Sequence, residues 1–265
     1  MKKYMFCFAA AAAVLAVGAA EKEVKPVHST GVSFSAGKVG KGAVLTEKSR
    51  IYFDGKAFTP SGGTVETWVC PAEAAPAGKQ NFLISSGNNN PFWFFWGFDG
   101  KGVNFLSRSR KDARTFEHYS SVRMAYNVPA GEWTHLALVW CRTAPGESLV
   151  QLYVNGKAVI EKFDQSLGGN DGGSLGIGCN TAGRAAPAFC GVIDELMISD
   201  TPLAPGEILK RYELGKSGKT VAPDRRTVLY LGFEDTVSGK SFAPVPDLKK
   251  LAADGEKLLD QIVGE

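Results

Sequence analysis

Asn155-Gly156, set between Leu149–Val154 and Ala158–Ile160, is the feature that most narrows what this chain can fold into. An Asn-Gly pair tolerates positive φ at both central positions of a tight turn, so it joins two β runs into a hairpin whose twist matches that of its strands. The same punctuation recurs along the chain: Asp54-Gly55, Gly62-Gly63, the cluster Ser86–Pro91, Asp99-Gly100 and the glycine-rich stretch Gly168–Gly173. Between these lie short β-branched and aromatic runs, among them Arg50–Phe53, Thr64–Val69 (stopped by Pro71), Asn81–Ser85, Phe92–Phe98, Val103–Leu106 and Leu175–Gly178. Many short strands at turn-punctuated spacing predict an all-β fold of two antiparallel sheets packed as a sandwich. Helical signals are few. Pro205–Tyr212 reads as one short helix, and Leu248, Leu251, Ala252, Leu258, Leu259, Ile262 and Val263 fall at helical spacing, which predicts a short C-terminal amphipathic helix over 247–263.

The first twenty residues read as a targeting segment and not as part of the fold. Lys2-Lys3 precede an apolar run from Phe6 to Val17, and Gly18-Ala19-Ala20 supply small residues before Glu21. That is the pattern of a cleaved signal peptide, and the run is short of the ~20 residues a membrane span needs. The expected mature protein is therefore exported: secreted, periplasmic or at the cell surface. Loss of Lys2 and Lys3 lowers the net charge from +3 to +1, which gives no global argument for nucleic acid. Residues 21–30 are expected to be a flexible lead-in, residues 31–220 the sandwich domain, and residues 221–265 a C-terminal strand and helix. Four cysteines remain after the leader, and an even number in an exported chain suggests disulfides. Cys179 with Cys190 and Cys70 with Cys141 is the expected pairing; buried thiols are the alternative.

Several stretches carry a family likeness. Gly63-Thr64-Val65-Glu66-Thr67-Trp68-Val69, Glu132-Trp133-Thr134-His135-Leu136-Ala137, Leu152-Tyr153-Val154-Asn155-Gly156 and Gly191-Val192-Ile193-Asp194-Glu195 occur in this order over Gly31–Lys216. Together they resemble a laminin-G-like domain of the concanavalin A-like superfamily. The resemblance implies a jelly roll, and it implies a module that binds glycans or proteins outside cells, sometimes with calcium. Thr227–Phe233 resembles the strand that opens such domains, which the N-terminal part of the chain lacks. It either completes the sandwich from the other end or begins a truncated repeat.

Fold does not fix function, so the site must be argued from residues. Glycosidases need two carboxylates about 5–5.5 Å or 6.5–9.5 Å apart. An acidic residue at alternate positions of one strand would supply them, and the sequence has no such strand; Asp194 and Glu195 are consecutive and point to opposite faces. The chain is thus expected not to be an enzyme, a hydrolase of the same fold being the least favoured reading. Alternation places Asp194 on the face of Val192, Leu196 and Ile198, partly buried and bonded to a neighbouring loop; a calcium ligand set with Asp171 and Asn170 is the weaker reading. No cofactor is expected, calcium being possible.

Binding residues are sought in the aromatic run. Trp93 and Phe95 point one way and Phe92, Phe94, Trp96 and Phe98 the other, so one set fills the core and the other can offer sugar-stacking rings. Trp93, Phe95 and Trp96 are the aromatic candidates. Arg108, Arg110 and Arg114 follow, either as forks for acidic groups or as a solvated loop. The expected partner is an extracellular glycan or a surface protein. The three histidines (His28, His118 and His135) form no zinc-type pair, and His135 is expected to anchor its strand. The competing reading is a structural or protein-interaction component of the cell surface.

Overall fold

The structure is a computed structural model that describes residues 21–53, 61–73, 77–86, 92–99, 103–110, 116–124, 126, 128–145, 147–165, 174–181 and 189–241. Its elements are β1 (Lys22–Val24), β2 (His28–Thr30), β3 (Ser33–Ala36), β4 (Lys41–Leu45), β5 (Arg50–Phe53), β6 (Gly62–Pro71), β7 (Ala77–Ser86), β8 (Phe92–Asp99), β9 (Val103–Arg110), β10 (Phe116–Met124), β11 (Thr134–Ala144), β12 (Glu147–Val154), β13 (Lys157–Gln165), β14 (Leu175–Ile177), β15 (Gly191–Ser199), the helix α1 (Pro205–Lys216), β16 (Thr227–Leu231) and β17 (Gly239–Ser241). A 10-stranded sheet runs β1-β17-β16-β15-β6-β11-β12-β13, with β4 beside β15 and β3 beyond it; a 7-stranded sheet runs β10-β9-β8-β7-β14-β5-β2. All the strand pairs are antiparallel. The chain is thus the all-β antiparallel sandwich its turn spacing predicts.

The core forms where the inward residues of the two sheets meet. Val65, Val69, Leu136, Leu138, Trp140, Val150 and Leu152 come from the larger sheet, and Ile51, Phe53, Ile84, Val103 and Ile177 from the smaller. Full burial of each aliphatic chain stabilises the fold by about 1.5–3 kcal/mol. β6 is buried along nearly its whole length. Its odd-numbered residues face the second sheet, and its even-numbered ones lie under α1, where Ala137, Val139, Tyr153, Leu203 and Ile208 form a smaller apolar cluster. Polar Thr64, Glu66 and Trp68 therefore sit in a layer without water and need internal partners.

The Asn155-Gly156 turn has φ of 49° and 75°, the paired positive values of a tight hairpin. It is tied down twice: Asn155 N–H donates to the His135 carbonyl, and His135 N–H donates to Asn155 Oδ1, both at 2.9 Å. A Cβ at Gly156 would press on the Tyr212 ring, so this glycine also lets α1 approach. α1 begins with Pro205 at its first turn and extends to Lys216, four residues past the predicted end. No described helix is long and apolar enough to cross a membrane.

Three expectations are corrected. Residues 21–30 are not a free lead-in: Lys22–Val24 pairs with β17 and His28–Thr30 with β5, one strand in each sheet. The attachment is by backbone, and nearly every side chain there is exposed, so composition gave no sign of it. The disulfides are not formed; all four cysteines are thiols. The antiparallel register sets Cys141 opposite Gly62, whereas Cys70 lies eight residues further along β6. That is roughly 27 Å, far beyond the ~7 Å a bridge can span. Phe189 N–H bonds to the Gly178 carbonyl, which staggers Cys179 and Cys190 past one another, and the Cys179 thiol turns to the Ile51 carbonyl at 3.7 Å. Third, β15 carries a bulge between Asp194 and Met197, with Glu195 at φ 48°. Leu196 and Ile198 therefore join Ile193 in the core, and Asp194 does not share their face.

Thr227–Leu231 pairs antiparallel with the second half of β15, while β4 pairs with its first half. The strand thus lies within the same sheet, and Leu229, Leu231 and Phe233 enter the shared core. The amphipathic segment 247–263 lies outside the described residues.

Candidate functional site

The outward face of the larger sheet, under and beside α1, holds the buried charged residues Glu66, Asp194, Glu195 and Arg211 among the described residues. Register brings Glu66 of β6 beside Ala137 of β11 and Met197 of β15, and Trp68 beside His135 and Asp194. Arg211 reaches down from α1 and donates to Glu66 Oε1; its second nitrogen donates to Glu207 at 3.3 Å and lies 3.9 Å from Asp224. Arg226 ties Glu207 and Asp224 together, at 2.5 Å to each. The Glu66 Oε2 atom lies 3.5 Å from His135 Nε2, at the outer limit of a hydrogen bond. Burial drives the Glu66 carboxyl upward, but the His135 and Arg211 contacts outweigh it and hold its pKa below the usual value. Around this network Trp68 and Tyr212 stack at 5.6 Å, and Lys38 Nζ sits 4.9 Å over the Trp68 ring.

A second buried set surrounds the β15 bulge. Asp194 is fully buried; its Oδ2 accepts from Val39 N–H at 2.9 Å and its Oδ1 from Glu195 N–H at 2.7 Å. Burial nevertheless dominates and pushes its pKa up to about 7. The Tyr230 hydroxyl donates to Glu195 Oε1 at 2.8 Å. Burial raises both the Glu195 and Tyr230 values, the carboxylate adding to the rise at the phenol. Asp194 thereby clamps the 37–41 loop to β15. Asp171 and Asn170, its suggested calcium partners, lie outside the described residues, and no cluster of three or more metal-ligating side chains occurs among the described residues.

Asp194 is sealed from solvent, and Glu66 and Glu195 border only a small space. The space bounded by Glu66, Trp68, His135, Glu195, Met197, Arg211, Gly215 and Val221 amounts to ≈ 10 Å³. That is room for about one water and none for a sugar ring. A larger hollow of ≈ 500 Å³ opens nearby, between α1 and the β12–β13 turn, lined by Tyr126, Asn155, Lys157, Val159, Leu209, Tyr212, Glu213 and Lys216 among others. Leu209 is 44% exposed and Val159 40%, so its apolar wall faces water. Isolated exposed aliphatics are ordinary, but apolar groups gathered at a hollow with polar groups at its rim mark binding sites.

The aromatic candidates occupy β8. Trp93, Phe95 and Trp96 are in register with Leu106, Asn104 and Val103, and Val103 is a core residue. Arg108 and Arg110 lie on β9 opposite Tyr119 and Phe116. Phe92 pairs with Ser107, so the arginine positions begin just beyond the end of β8. The side chains of these five residues, and Arg114 altogether, lie outside the described residues. Tyr126, Lys157, Leu209, Tyr212 and Lys216 were not singled out from the sequence. The available hint was Leu209 and Tyr212 at i, i+3 on a helix whose core face was already supplied by Ile208.

A family model described as "Concanavalin A-like lectin/glucanases superfamily", Laminin_G_3, matches residues 45–209, more than half of the chain. The chain belongs to this laminin-G-like family. The match stops short of β1–β3, most of β4, most of α1, β16 and β17, so the laminin-G-like core here is extended by β1, β17 and β16 at one rim of the larger sheet and by β2 in the smaller one. Comparison with curated proteins finds no match. Among solved structures the laminin-G-like sandwich is similar to domain 4 of AbnA, a GH43 extracellular arabinanase from Geobacillus stearothermophilus, in complex with arabinotriose. Identity is 24%, the TM-score 0.53, and the match covers 72% of this chain and 86% of that one. It is similar to the receptor binding domain of botulinum neurotoxin mosaic serotype C/D at 12% identity and TM-score 0.52, covering 74% of this chain and 46% of that one. The enzymatically active domain of bacteriophage CBA120 tailspike protein 2 matches at 13% identity and TM-score 0.53, over 86% of this chain and 35% of that one. The chain thus spans under half the length of the toxin and tailspike chains. At these identities the likeness is one of fold.

Proposed function

We propose that the chain is an exported, non-catalytic recognition module that binds a polysaccharide or a glycoprotein glycan at the cell surface, in the periplasm or outside the cell. The observation that carries this reading is the division between acids and open space. Glu66 and Glu195 are engaged by internal partners around ≈ 10 Å³ of space and Asp194 is sealed by backbone amides, while the ≈ 500 Å³ hollow presents tyrosines, aliphatics and polar tips. Paired catalytic carboxylates must reach a substrate, whereas stacking rings and amphipathic walls suit the apolar faces of sugars. The neighbour solved with arabinotriose supports the same class of ligand. Binding rests on side chains and needs no cofactor, so chelation with EDTA leaves affinity unchanged; a loss of binding restored by calcium would instead implicate Asp171, Asn170 and Asp194.

The test is a glycan array with residues 21–265, followed by titration of the best ligand and incubation with a polysaccharide panel. Retained binding without release of shorter sugars is the expected result. Release of shorter sugars would make the chain a hydrolase. A second reading, a protein-interaction component, draws on the exposed apolar group Leu209, Val159 and Phe163; capture of a surface protein with a blank array would favour it.

A further inference from the structure

We infer that the hollow between α1 and the β12–β13 turn is a binding site for a short oligosaccharide bearing carboxylate groups. The inference rests on the glycan-binding reading and adds to it a location and a charge class. Three observations carry it.

The first is size and shape. A hollow of ≈ 500 Å³ lies within the range of small-ligand sites and is too small to seat a folded partner. The second is a prearranged wall. Tyr212 is stacked on Trp68 at 5.6 Å and 21°, and Gly156 packs against its ring edge. Its position is fixed before any ligand arrives, which removes part of the ordering cost of binding. Tyr126 and the exposed Leu209 complete a surface with apolar faces and hydroxyl tips, complementary to a pyranose with its C–H face and polar rim.

The third is charge. Lys157 and Lys216 flank the hollow against one carboxylate, Glu213. Lys157 forms no ion pair among the described residues. Lys216 lies 3.9 Å from Glu213, with both side chains more than half exposed, and 5.7 Å over the Tyr212 ring, contacts worth about 1 kcal/mol or less each in water. Two exposed ammonium groups therefore stand at the rim, neither of them held in a buried ion pair. Lysine is a flexible point charge, and it suits carboxylates presented at varied positions on a sugar chain.

The test uses residues 21–265, with trigalacturonate as the acidic probe and galactotriose as its neutral counterpart, measured by calorimetry. Trigalacturonate is expected to bind at least about tenfold more tightly than galactotriose, and its affinity is expected to fall as salt rises. Lys157→Glu with Lys216→Glu is expected to weaken it by about tenfold or more, and Leu209→Asp likewise. All three positions are at the surface, and unchanged circular dichroism and melting establish that the variants fold. No heat with trigalacturonate, undiminished binding by the lysine double variant, or equal affinity for a polyglutamate peptide would each overturn the assignment. If the array is positive but indifferent to the lysine and leucine variants, the hollow is excluded and glycan recognition stands. If the array is blank as well, both fall.

Discussion

Asp194 shows how much one side chain can depend on its surroundings. It is sealed from water, and burial lifts its pKa from 3.8 to about 7 even though two backbone amides donate to it. A carboxyl whose folded value exceeds its unfolded one stabilises the fold when protonated. That stabilisation is complete below about pH 4 and is lost as pH rises through about 7. Thermal melting of the wild type is expected to fall across this window, at about 1.4 kcal/mol per pH unit at most for one group, and Asp194→Asn is expected to flatten the slope. A slope unchanged in the variant would remove Asp194 as its source. Glu66 has the opposite sign: its depressed value makes its contribution largest above the ordinary carboxylate range and weaker in acid. Arg211→Met leaves Glu66 buried beside His135 alone, and is expected to cost about 3–5 kcal/mol in chemical denaturation; Glu66→Leu in the same chain is expected to restore most of it. The sequence pointed to His135 and Asp194 because each interrupts an apolar strand. It did not point to Arg211 or Tyr230, whose partners lie 145 and 35 residues away and become neighbours only once the sheet is built.

At the scale of elements, α1 is placed by a glycine. A Cβ at Gly215 would overlap the Trp68 indole. Gly215→Ala gains about 1 kcal/mol of helix propensity but forces the helix off a packed ring, typically a cost of about 1–3 kcal/mol. The expected result is a lower melting temperature with a red-shifted or broadened Trp fluorescence signal; a more stable variant would show that the contact is loose. The strands bounded by turn residues were legible, because alternation and Asn-Gly chemistry are local. The β15 bulge was not, because it answers to a change of partner, from β4 to β16, that no window of sequence contains. β1 and β2 were hidden for a related reason: three-residue strands held by backbone bonds leave no apolar pattern.

At the scale of the whole molecule, cohesion comes from core burial, with no covalent staple among the described residues. Cys179 is buried, and burial raises the pKa values of both its thiol and that of Cys70, which leaves them poor nucleophiles. Reducing agent is therefore expected to leave the melting temperature of residues 21–265 unchanged, and intact-mass analysis of that span after alkylation under denaturing conditions to find four modified cysteines. A shift of several degrees on reduction would show that a bridge forms after all. The chain also depends on its late strands: truncation after Arg226 removes Leu229, Leu231 and Phe233 from the core and is expected to prevent folding, whereas truncation after Ser241 keeps every strand of the larger sheet.

Because Lys22 is the ladder partner of Ser241, the first and last described strands share one rim of the larger sheet, and β13 forms the rim farthest from them. Any anchor or neighbouring module joined through either terminus would hold the body by that near side. The lysine-flanked hollow beside β13 would then be the part held outward, like the open hand at the end of an arm.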